Sequence, residues 1–239
     1  MPRDYDAVRS AKSMQDVGQH VFIPEHYCIE QSQELLDYIT ANPMCQVSCV
    51  HEGRVLSTAM PLIACRKDAG SYVGHMARRN PMADALSKGG EVLAVFSGPE
   101  AYVSPSWFTQ RQTVPTWNYL SVQLRGEWEQ LTRAEDIEAV MSDTVVHMEG
   151  LLAETSQHKA WNMQTVDPDL YAGLLHGIVA FRLKPSSLEG VKRLNQDKDI
   201  RDIDSIMRGL SASSQRHSRE IVALMQTQYA EFLSSGNDA

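Results

Sequence analysis

Hydrophobic residues along this chain change their spacing several times, and each spacing predicts a different element. In "IEQSQELLDYITANP" the residues Leu35, Leu36 and Ile39 share one helical face, which predicts a helix that ends at Asn42-Pro43. The next stretches, "MCQVSCV", "VLSTAMPLIACR" and "SYVGHM", are short, strand-like and separated by the turns "HEGR" and "KDAG". Short strands joined by tight turns predict an antiparallel sheet.

Strands and helices alternate through the second half of the chain. "EVLAVFSG" is almost wholly apolar, which predicts a strand buried on both faces. "WNYLSVQLRGEWEQL" alternates polar with apolar residues and predicts another strand, and "GIVAFRLKP" predicts a further one. Proline or capping signals predict three helix starts, at Pro81, at Thr132 with Glu135 as a capping box, and at Asp167-Pro168.

The tail "KDIRDIDSIMRGLSASSQRHSREIVALMQTQYAEFL" predicts two helices joined by a Gly/Ser turn. The apolar face of the second helix comprises Ile221, Leu224, Met225, Tyr229 and Phe232. The predicted fold is therefore α+β, with six to eight antiparallel strands, peripheral helices and a C-terminal helical pair. Closure of so many short strands into a small barrel would hide their edges.

Composition narrows the class of protein. The chain has 239 residues, of which 43% are hydrophobic and 22% charged, as in ordinary globular proteins, and its net charge is −8. That charge argues against a surface that binds nucleic acid or acidic membranes throughout, but it permits a local basic pocket. The opening "MPRDYDAVRSAK" lacks an apolar segment, and no apolar run approaches membrane-spanning length. A cytoplasmic protein is expected.

The four cysteines, Cys28, Cys45, Cys49 and Cys65, form no C-x-x-C pair, so neither a zinc ribbon nor a redox motif is indicated. Cys45 and Cys49 lie on one face of a predicted strand, which favours buried free thiols. The motifs H-E-x-x-H, G-x-S-x-G and G-x-x-x-x-G-K-[ST] are absent. We assign no catalytic residue and no metal ligand, and we expect the pair Asp202/Asp204 to face solvent.

The stretch "VGHMARRNPMADAL" is a candidate anion site. It places His75, Arg78 and Arg79 just before Asn80-Pro81 opens a helix. A helix start offers unpaired N–H groups and a positive dipole end, and guanidinium groups beside it favour a phosphate. The alternatives are a solvated basic turn and a histidine that only makes structural hydrogen bonds.

A second candidate is the aromatic stretch "SGPEAYVSPSWFTQRQTVPTWNY". Trp107, Phe108, Trp117 and Tyr119 are interleaved with prolines, which stiffen a loop and would let flat rings wall a planar ligand. Nearby polar atoms, such as those of Asn118, would orient the ligand. The alternative is that these rings plug the end of the barrel or a subunit interface.

Five stretches taken together resemble the PaiB family of negative transcriptional regulators. They are "FIPEHY" at 22–27, "GHMARRNP" at 74–81, "EVLAVFSGPEAYVSPSWF" at 91–108, "VPTWNY" at 114–119 and "GIVAFRL…LEG" at 177–190. The resemblance implies a six-stranded Greek-key split β-barrel, akin to pyridoxamine-phosphate oxidases, that binds FMN in a cleft of a homodimer. It divides the chain into an extension at 1–20, an FMN-binding domain at 21–190 and a helical segment at 191–239 that packs on the barrel or on the dimer partner.

The resemblance also implies site residues. Those expected near the FMN phosphate and ribityl chain are Ser57, Thr58, His75, Arg78, Arg79 and Asn80. Those expected near the flavin ring or dimer cleft are Trp107, Trp117 and Asn118.

Two departures bear on cofactor binding. Ala59 stands where family members usually carry a histidine, and "RLNQD" at Arg193 to Asp197 replaces the family's "KLSQN". Both fall in parts of split barrels that can face the cofactor. FMN is the expected cofactor. The two departures leave three alternatives open, namely weak FMN binding, another planar ligand such as haem, or no ligand.

The resemblance implies a flavin-linked regulator or sensor of transcription without strong turnover. The alternative is an FMN-dependent oxidoreductase that acts on a small molecule, in which FMN supplies the chemistry. Direct DNA binding is not expected, because Asp199, Asp202, Asp204 and Glu220 interleave with the arginines of the tail. A link to transcription would then be indirect.

Overall fold

The computed structural model describes residues 21–109, 113–156 and 160–230; the predicted extension at 1–20 and Phe232 lie outside these ranges. The strands are β1 (Met44–His51), β2 (Arg54–Pro61), β3 (Ile63–Ala64), β4 (Tyr72–Ala77), β5 (Glu91–Val103), β6 (Thr116–Leu131) and β7 (Ile178–Arg193). The α-helices are α1 (Ser32–Ala41), α2 (Met82–Lys88), α3 (Ala134–Thr155), α4 (Pro168–His176), α5 (Ile200–Ser211) and α6 (Ser218–Gln228).

The strands form one antiparallel sheet in the order β2-β1-β5-β6-β7-β4-β3. The predicted α+β class with an antiparallel sheet is confirmed, but closure of the strands into a barrel is wrong: within the described residues the sheet is open, with β2 and β3 at its edges. Strand pairing is interrupted between β2 and β3, at Pro61 and Leu62. Pro61 lacks an N–H group, and the N–H of Leu62 donates to the Pro43 carbonyl at 2.9 Å instead.

The described chain divides into two compact units, and the first comprises residues 32–96 and 123–188. A cluster of apolar side chains lies between α3 and its sheet: Ile63, Val73, Leu131, Val140 and Ala180. On the other side of β4, a Cβ atom at Gly74 would lie 2.7 Å from Leu62 Cδ2 and 2.8 Å from Phe181 Cζ. Only glycine permits this close packing.

The second unit comprises residues 21–31, 97–122 and 189–230. Helices α5 and α6 bury their apolar faces against the end of β5 and the turn after β7, in a core that includes Val103, Leu194, Ile206, Leu210 and Ile221. The helical pair predicted from the tail is therefore present, and each helix is one-sided.

Most local predictions agree with the structure, and two are wrong. Asp167 caps α4 as predicted, since its carboxylate accepts from the N–H groups of Asp169 and Leu170. The predicted capping box at Thr132 is wrong, because α3 has Arg133 as its N-cap residue, without a side-chain cap. The predicted double burial of β5 is also wrong: Val92, Ala94 and Phe96 are buried, whereas the residues between them are partly exposed.

Cys45 and Cys49 are buried free thiols, as predicted. Burial raises the pKa of Cys45 to about 12, so this thiol stays protonated at neutral pH. No helix in the described part of the chain is long and apolar enough to cross a bilayer.

Candidate functional site

Arg78, expected at a phosphate, is bonded to backbone carbonyls. Its Nε donates to the carbonyl of His176 at 2.8 Å, and its Nη2 donates to that of Ile178 at 2.7 Å. Its backbone N–H donates to the carbonyl of Gly177, also at 2.8 Å. Because α4 ends at His176, the guanidinium lies where a helix has unpaired carbonyls and a negative dipole end. Arg78 therefore fastens the turn after β4 to the junction of α4 and β7.

Arg79 differs from its neighbour. It is exposed, and it makes no hydrogen bond or ion pair with any residue in the described ranges. Its guanidinium keeps its five N–H donors and its charge available for an anion.

The side chain and the carbonyl of Asn80 make hydrogen bonds to other residues of the chain. Its Oδ1 accepts from the N–H of Met82 at 3.0 Å, and its carbonyl accepts from the N–H of Ala83 at 2.9 Å. The first two amides of α2, which the sequence offered to a phosphate, are therefore satisfied by Asn80. Its Nδ2 donates to Thr58 Oγ1 at 3.2 Å, which joins the turn to β2.

Ser57 and Thr58 lie on opposite faces of β2, because successive residues of a strand point to opposite sides. Ser57 Oγ accepts from Gln46 Nε2 at 2.7 Å and lies 2.8 Å from Ser48 Oγ. Sequence reasoning missed Gln46 and Ser48. The turn in "HEGR" contained the signal, since a hairpin centred there pairs Ser48 with Ser57, as the structure does.

This polar cluster, which we call the hairpin triad (Gln46, Ser48 and Ser57), lies within an exposed apolar surface. Val50 and Val55 face each other across β1 and β2 and are 71% and 74% exposed. Ala59, which replaces the family's histidine, pairs with Gln46 on this same face and adds only a methyl group. The face thus offers hydroxyl and amide groups among apolar side chains, as a binding surface does.

His75 is not brought to Thr58 and Asn80. Alternation along β4 places it on the side of Val73, which packs beneath Val140 of α3, and opposite to Gly74. Its Nδ1 is buried without a partner in the described residues. Burial lowers the pKa of His75, so its ring is neutral at pH 7.

Trp107, in the second unit, packs on a helix. A Cβ atom at Gly209 of α5 would overlap the indole ring, so the ring lies flat against that glycine. The neighbouring Thr109 is held by Asp202, whose Oδ1 accepts from its backbone N–H at 2.7 Å and from its hydroxyl at 2.5 Å. Asp202 is only 3% exposed, so the prediction that it faces solvent is wrong. Burial of this carboxylate is tolerated because it accepts hydrogen bonds from two donors.

Trp117 is 50% exposed and packs edge to face with Tyr102, with ring centroids 5.9 Å apart. Tyr102 is itself fixed, because the side-chain amide of Gln215 accepts from its N–H at 2.8 Å and donates to its carbonyl at 3.0 Å. Gln215 therefore serves as a substitute strand partner. The indole of Trp117 remains accessible to a ligand or a partner chain.

Asn118 is fully buried and faces α6. Its Nδ2 contacts Met225 Sδ at 3.5 Å, and its Oδ1 has no partner within the described residues. The alternation of β6 carried this signal, because Asn118 shares the apolar face of Leu120 and Val122.

The stretch that departs from the family, Arg193 to Asp197, makes internal contacts in the second unit. Asp197 Oδ1 accepts from Tyr27 Oη at 3.0 Å, and the Arg193 guanidinium lies 5.1 Å above the Tyr27 ring. The carbonyl of Leu194 accepts from Tyr229 Oη at 2.9 Å. This turn therefore fastens the segment 21–31 and the end of α6 to β7.

Metal-binding chemistry is not assembled in the described ranges, where no group of three or more His, Cys, Asp or Glu side chains could hold an ion. In the first unit, the accessible chemistry includes the uncommitted guanidinium of Arg79 and the hairpin triad. In the second unit, the indole of Trp117 is exposed. Such groups bind and orient a polar or planar molecule.

The family model described as "Putative FMN-binding domain" matches residues 21–187, and the chain belongs to this family. It is 27% identical over 207 residues to the Bacillus subtilis protein named "Protease synthase and sporulation protein PAI 2", covering 86% of this chain and 97% of that protein. The resemblance to the PaiB family is thereby confirmed.

Solved structures share the fold at low sequence identity. A conserved hypothetical protein from Mycobacterium tuberculosis superposes with a TM-score of 0.52 at 11% identity, over 72% of this chain and 90% of that one. The flavocytochrome Anf3 from Azotobacter vinelandii gives 0.50 at 15% identity, over 73% and 72% of the two chains. These likenesses establish the fold alone.

Proposed function

We propose that this chain binds FMN and acts as a flavin-linked regulator or sensor without strong turnover. The observation that carries the proposal is the uncommitted Arg79, on the turn that Asn80 joins to Thr58 of β2, in a chain that belongs to an FMN-binding family. A guanidinium and hydroxyl donors suit the phosphate and ribityl ends of FMN.

The residues present fit FMN with part of the set that the sequence indicates. Arg79 would meet the polar end of the cofactor, whereas the hairpin triad lies on the face of β2 opposite to Thr58, to which the turn of Arg79 is bonded. Arg78, Trp107 and Asn118 are engaged in packing or in backbone hydrogen bonds, so they would act indirectly. FMN, when bound, would supply hydride chemistry.

The absence of strong turnover rests on what surrounds these groups. Neither the hairpin triad nor Arg79 has a carboxylate or histidine hydrogen-bonded to it among the described residues. His75, which could have served as a general acid or base, lies on the face of β4 that α3 covers. A general acid or base must be within hydrogen-bond reach of the reacting atom.

Haem, the alternative planar ligand, would need an axial iron ligand such as histidine. His75 is the histidine of the candidate set, and its face of β4 is covered by α3. We therefore favour FMN over haem.

We propose a homodimer that pairs through the exposed face of β1 and β2. Val50 and Val55 form an apolar patch on an eight-residue edge strand and its neighbour, an arrangement that natural proteins usually cover. We propose that any link to transcription is indirect. In the tail, Arg208 is paired with Asp204 at 2.8 Å, which removes one cation from a DNA-binding face.

The test is an FMN titration of the purified protein, followed by flavin fluorescence and by thermal unfolding. FMN at a hundred times its Kd should stabilise the fold by about 2.7 kcal/mol. A colourless protein without a thermal shift would contradict FMN binding. Rapid bleaching of bound FMN by NADH or NADPH would instead favour the oxidoreductase that acts on a small molecule.

A further inference from the structure

Helices α3 and α4 leave much of their apolar surface exposed. Of the 22 residues of α3 only Val140 is buried, and α4 buries none of its nine. Five large apolar side chains of the two helices and the loop between them are between 43% and 58% exposed, and we call them the α3–α4 surface: Val146, Leu152, Trp161, Leu170 and Leu174. So much exposed apolar area within one segment is typical of an interaction site.

The α3–α4 surface is held in place by contacts within the first unit. The backbone N–H of Trp161 donates to Glu149 Oε2 on α3 at 2.7 Å. The pKa of Tyr171 on α4 is raised by burial and, to a lesser degree, by the charge of Glu138, so this part of α4 lies close to α3. The end of α4 is bonded to the guanidinium of Arg78. A partner would therefore meet a surface that needs little ordering.

Negative charge is concentrated in the same segment. Residues 134–176 contain eight Asp or Glu against one Lys, a net charge of −7, whereas the whole chain has a net charge of −8. Asp136 and Asp143 are paired with cations of the turn between β3 and β4. Glu154 and Asp169, by contrast, make no ion pair with any residue in the described ranges. The segment thus combines exposed apolar side chains with uncompensated negative charge.

This combination limits the kind of partner that fits. In a two-fold dimer the α3–α4 surface would face its own copy, and the two sets of negative charges would repel each other. Nucleic acid and anionic membranes are disfavoured for the same reason, since both are negatively charged. The occupant should therefore carry positive charge beside an apolar face.

We infer that the α3–α4 surface docks a cationic amphipathic helix of another protein, with apolar residues along one face and Lys or Arg on either side of it. A helix fits better than a strand, because a surface made of helices offers no free strand edge to which a strand could be added. Leu170 and Leu174 lie one turn apart on α4, so they form a ridge of the kind that packs into the groove of a second helix. The inference goes beyond FMN binding and does not depend on it.

The test uses the full chain and a fluorescent synthetic peptide of leucine and lysine whose leucines share one helical face. The matched control is the same peptide with glutamate in place of lysine. Fluorescence anisotropy should show binding of the lysine peptide and none of the glutamate peptide. Added salt should weaken the binding without abolishing it, since part of the contact is apolar.

Variants of the protein locate the contact. Leu170→Ser combined with Leu174→Ser should raise the Kd of the lysine peptide at least about tenfold, because two apolar contacts are lost. Glu154→Gln combined with Asp169→Asn should raise it about two- to fivefold at low salt and by less at high salt.

Two matched controls lie outside the α3–α4 surface. Val114→Ser removes an apolar side chain that is 74% exposed, and Glu127→Gln removes an exposed negative charge. Neither substitution should change the Kd of the lysine peptide.

Three results would overturn the inference. Equal binding of the lysine peptide to the wild type and to the double leucine variant would mean non-specific attraction to an acidic protein. Absence of binding would mean that the surface accepts no such helix. Conversion of a wild-type dimer to a monomer by the double leucine variant would mean that a second copy covers the surface. None of these results bears on FMN binding.

Discussion

Tyr27 Oη donates a hydrogen bond to Asp197 Oδ1 at 3.0 Å, across 170 positions of the chain. Lys198 Nζ lies 2.7 Å from the other carboxylate oxygen of Asp197. The bond fastens the segment 21–31 to the turn after β7, within the second unit. The stretch that departs from the family thus gains a structural role.

We expect Tyr27→Phe to lower the free energy of unfolding by about 1–2 kcal/mol. Denaturant unfolding measures this loss, and an unchanged midpoint would show that the bond contributes nothing.

The hydrogen-bonded pair of Tyr27 and Asp197 also leads us to expect that stability depends on pH. Burial alone would raise the pKa of Asp197, but hydrogen bonds from Lys198 and Tyr27 outweigh it, and the net pKa lies below the ordinary value of 3.8. A carboxyl whose pKa is lowered by folding stabilises the fold above its unfolded pKa, and this contribution is lost as the pH falls through the folded pKa. Asp197→Asn should therefore be less stable than the wild type at pH 7, and the difference should shrink below pH 3.8. A difference that is constant from neutral to acidic pH would contradict this assignment.

Asp202 should carry much of the stability of the aromatic loop. Asp202→Ala leaves the Thr109 N–H and hydroxyl without their acceptor, so we expect a loss of about 1–3 kcal/mol. Asp202→Asn keeps one carbonyl oxygen and should retain part of that stability. Asp204→Ala on the same helix is the control and should change stability by less than about 0.5 kcal/mol, because its ion pair is exposed. Equal losses of stability for Asp202→Ala and Asp204→Ala would contradict a stabilising role for the hydrogen bonds between Asp202 and Thr109.

Two glycine-to-alanine substitutions should change the free energy of unfolding in opposite directions. Gly74→Ala places a methyl group against Leu62 and Phe181, and overpacking of this kind costs about 1–3 kcal/mol. Gly150→Ala points into open space within α3, where alanine favours the helix by about 0.5–1 kcal/mol. Thermal unfolding of both variants checks the sign. Stabilisation by Gly74→Ala would mean that β4 is not packed as closely as described.

The proposed dimer predicts that a charge at the exposed hairpin face separates the protomers. Val55→Glu should convert a dimer to a monomer in light scattering coupled to gel filtration. Leu170→Glu on α4 is a matched control, because Leu170 is also largely exposed, at 58%, but lies on a helix. A wild-type protein that is monomeric at all concentrations would contradict the proposed pairing, and so would a Val55→Glu variant that stays dimeric.

Local signals predicted much of the fold. Alternation and short apolar runs between turns predicted the strands, and Asp167-Pro168 and Gly89-Gly90 marked helix ends that the structure confirms. The capping box at Thr132 failed because a motif only one residue out of place cannot cap α3.

The candidate site was less predictable, because side-chain direction depends on distant residues. Arg78 is held by a carbonyl 98 positions away, and no local pattern distinguishes it from Arg79. Asn118 could have been assigned to the core from the alternation of β6, since it shares the face of Leu120. Ser57 and Thr58 could likewise have been assigned to opposite faces of β2.

The most direct test of the central claim is the affinity of the wild-type protein for FMN relative to riboflavin. If the chain is built to hold a phosphorylated flavin, FMN should bind at least about tenfold more tightly, the equivalent of one charge-assisted hydrogen bond to the phosphate. Equal affinity for the two flavins, or no binding of either, would contradict the claim.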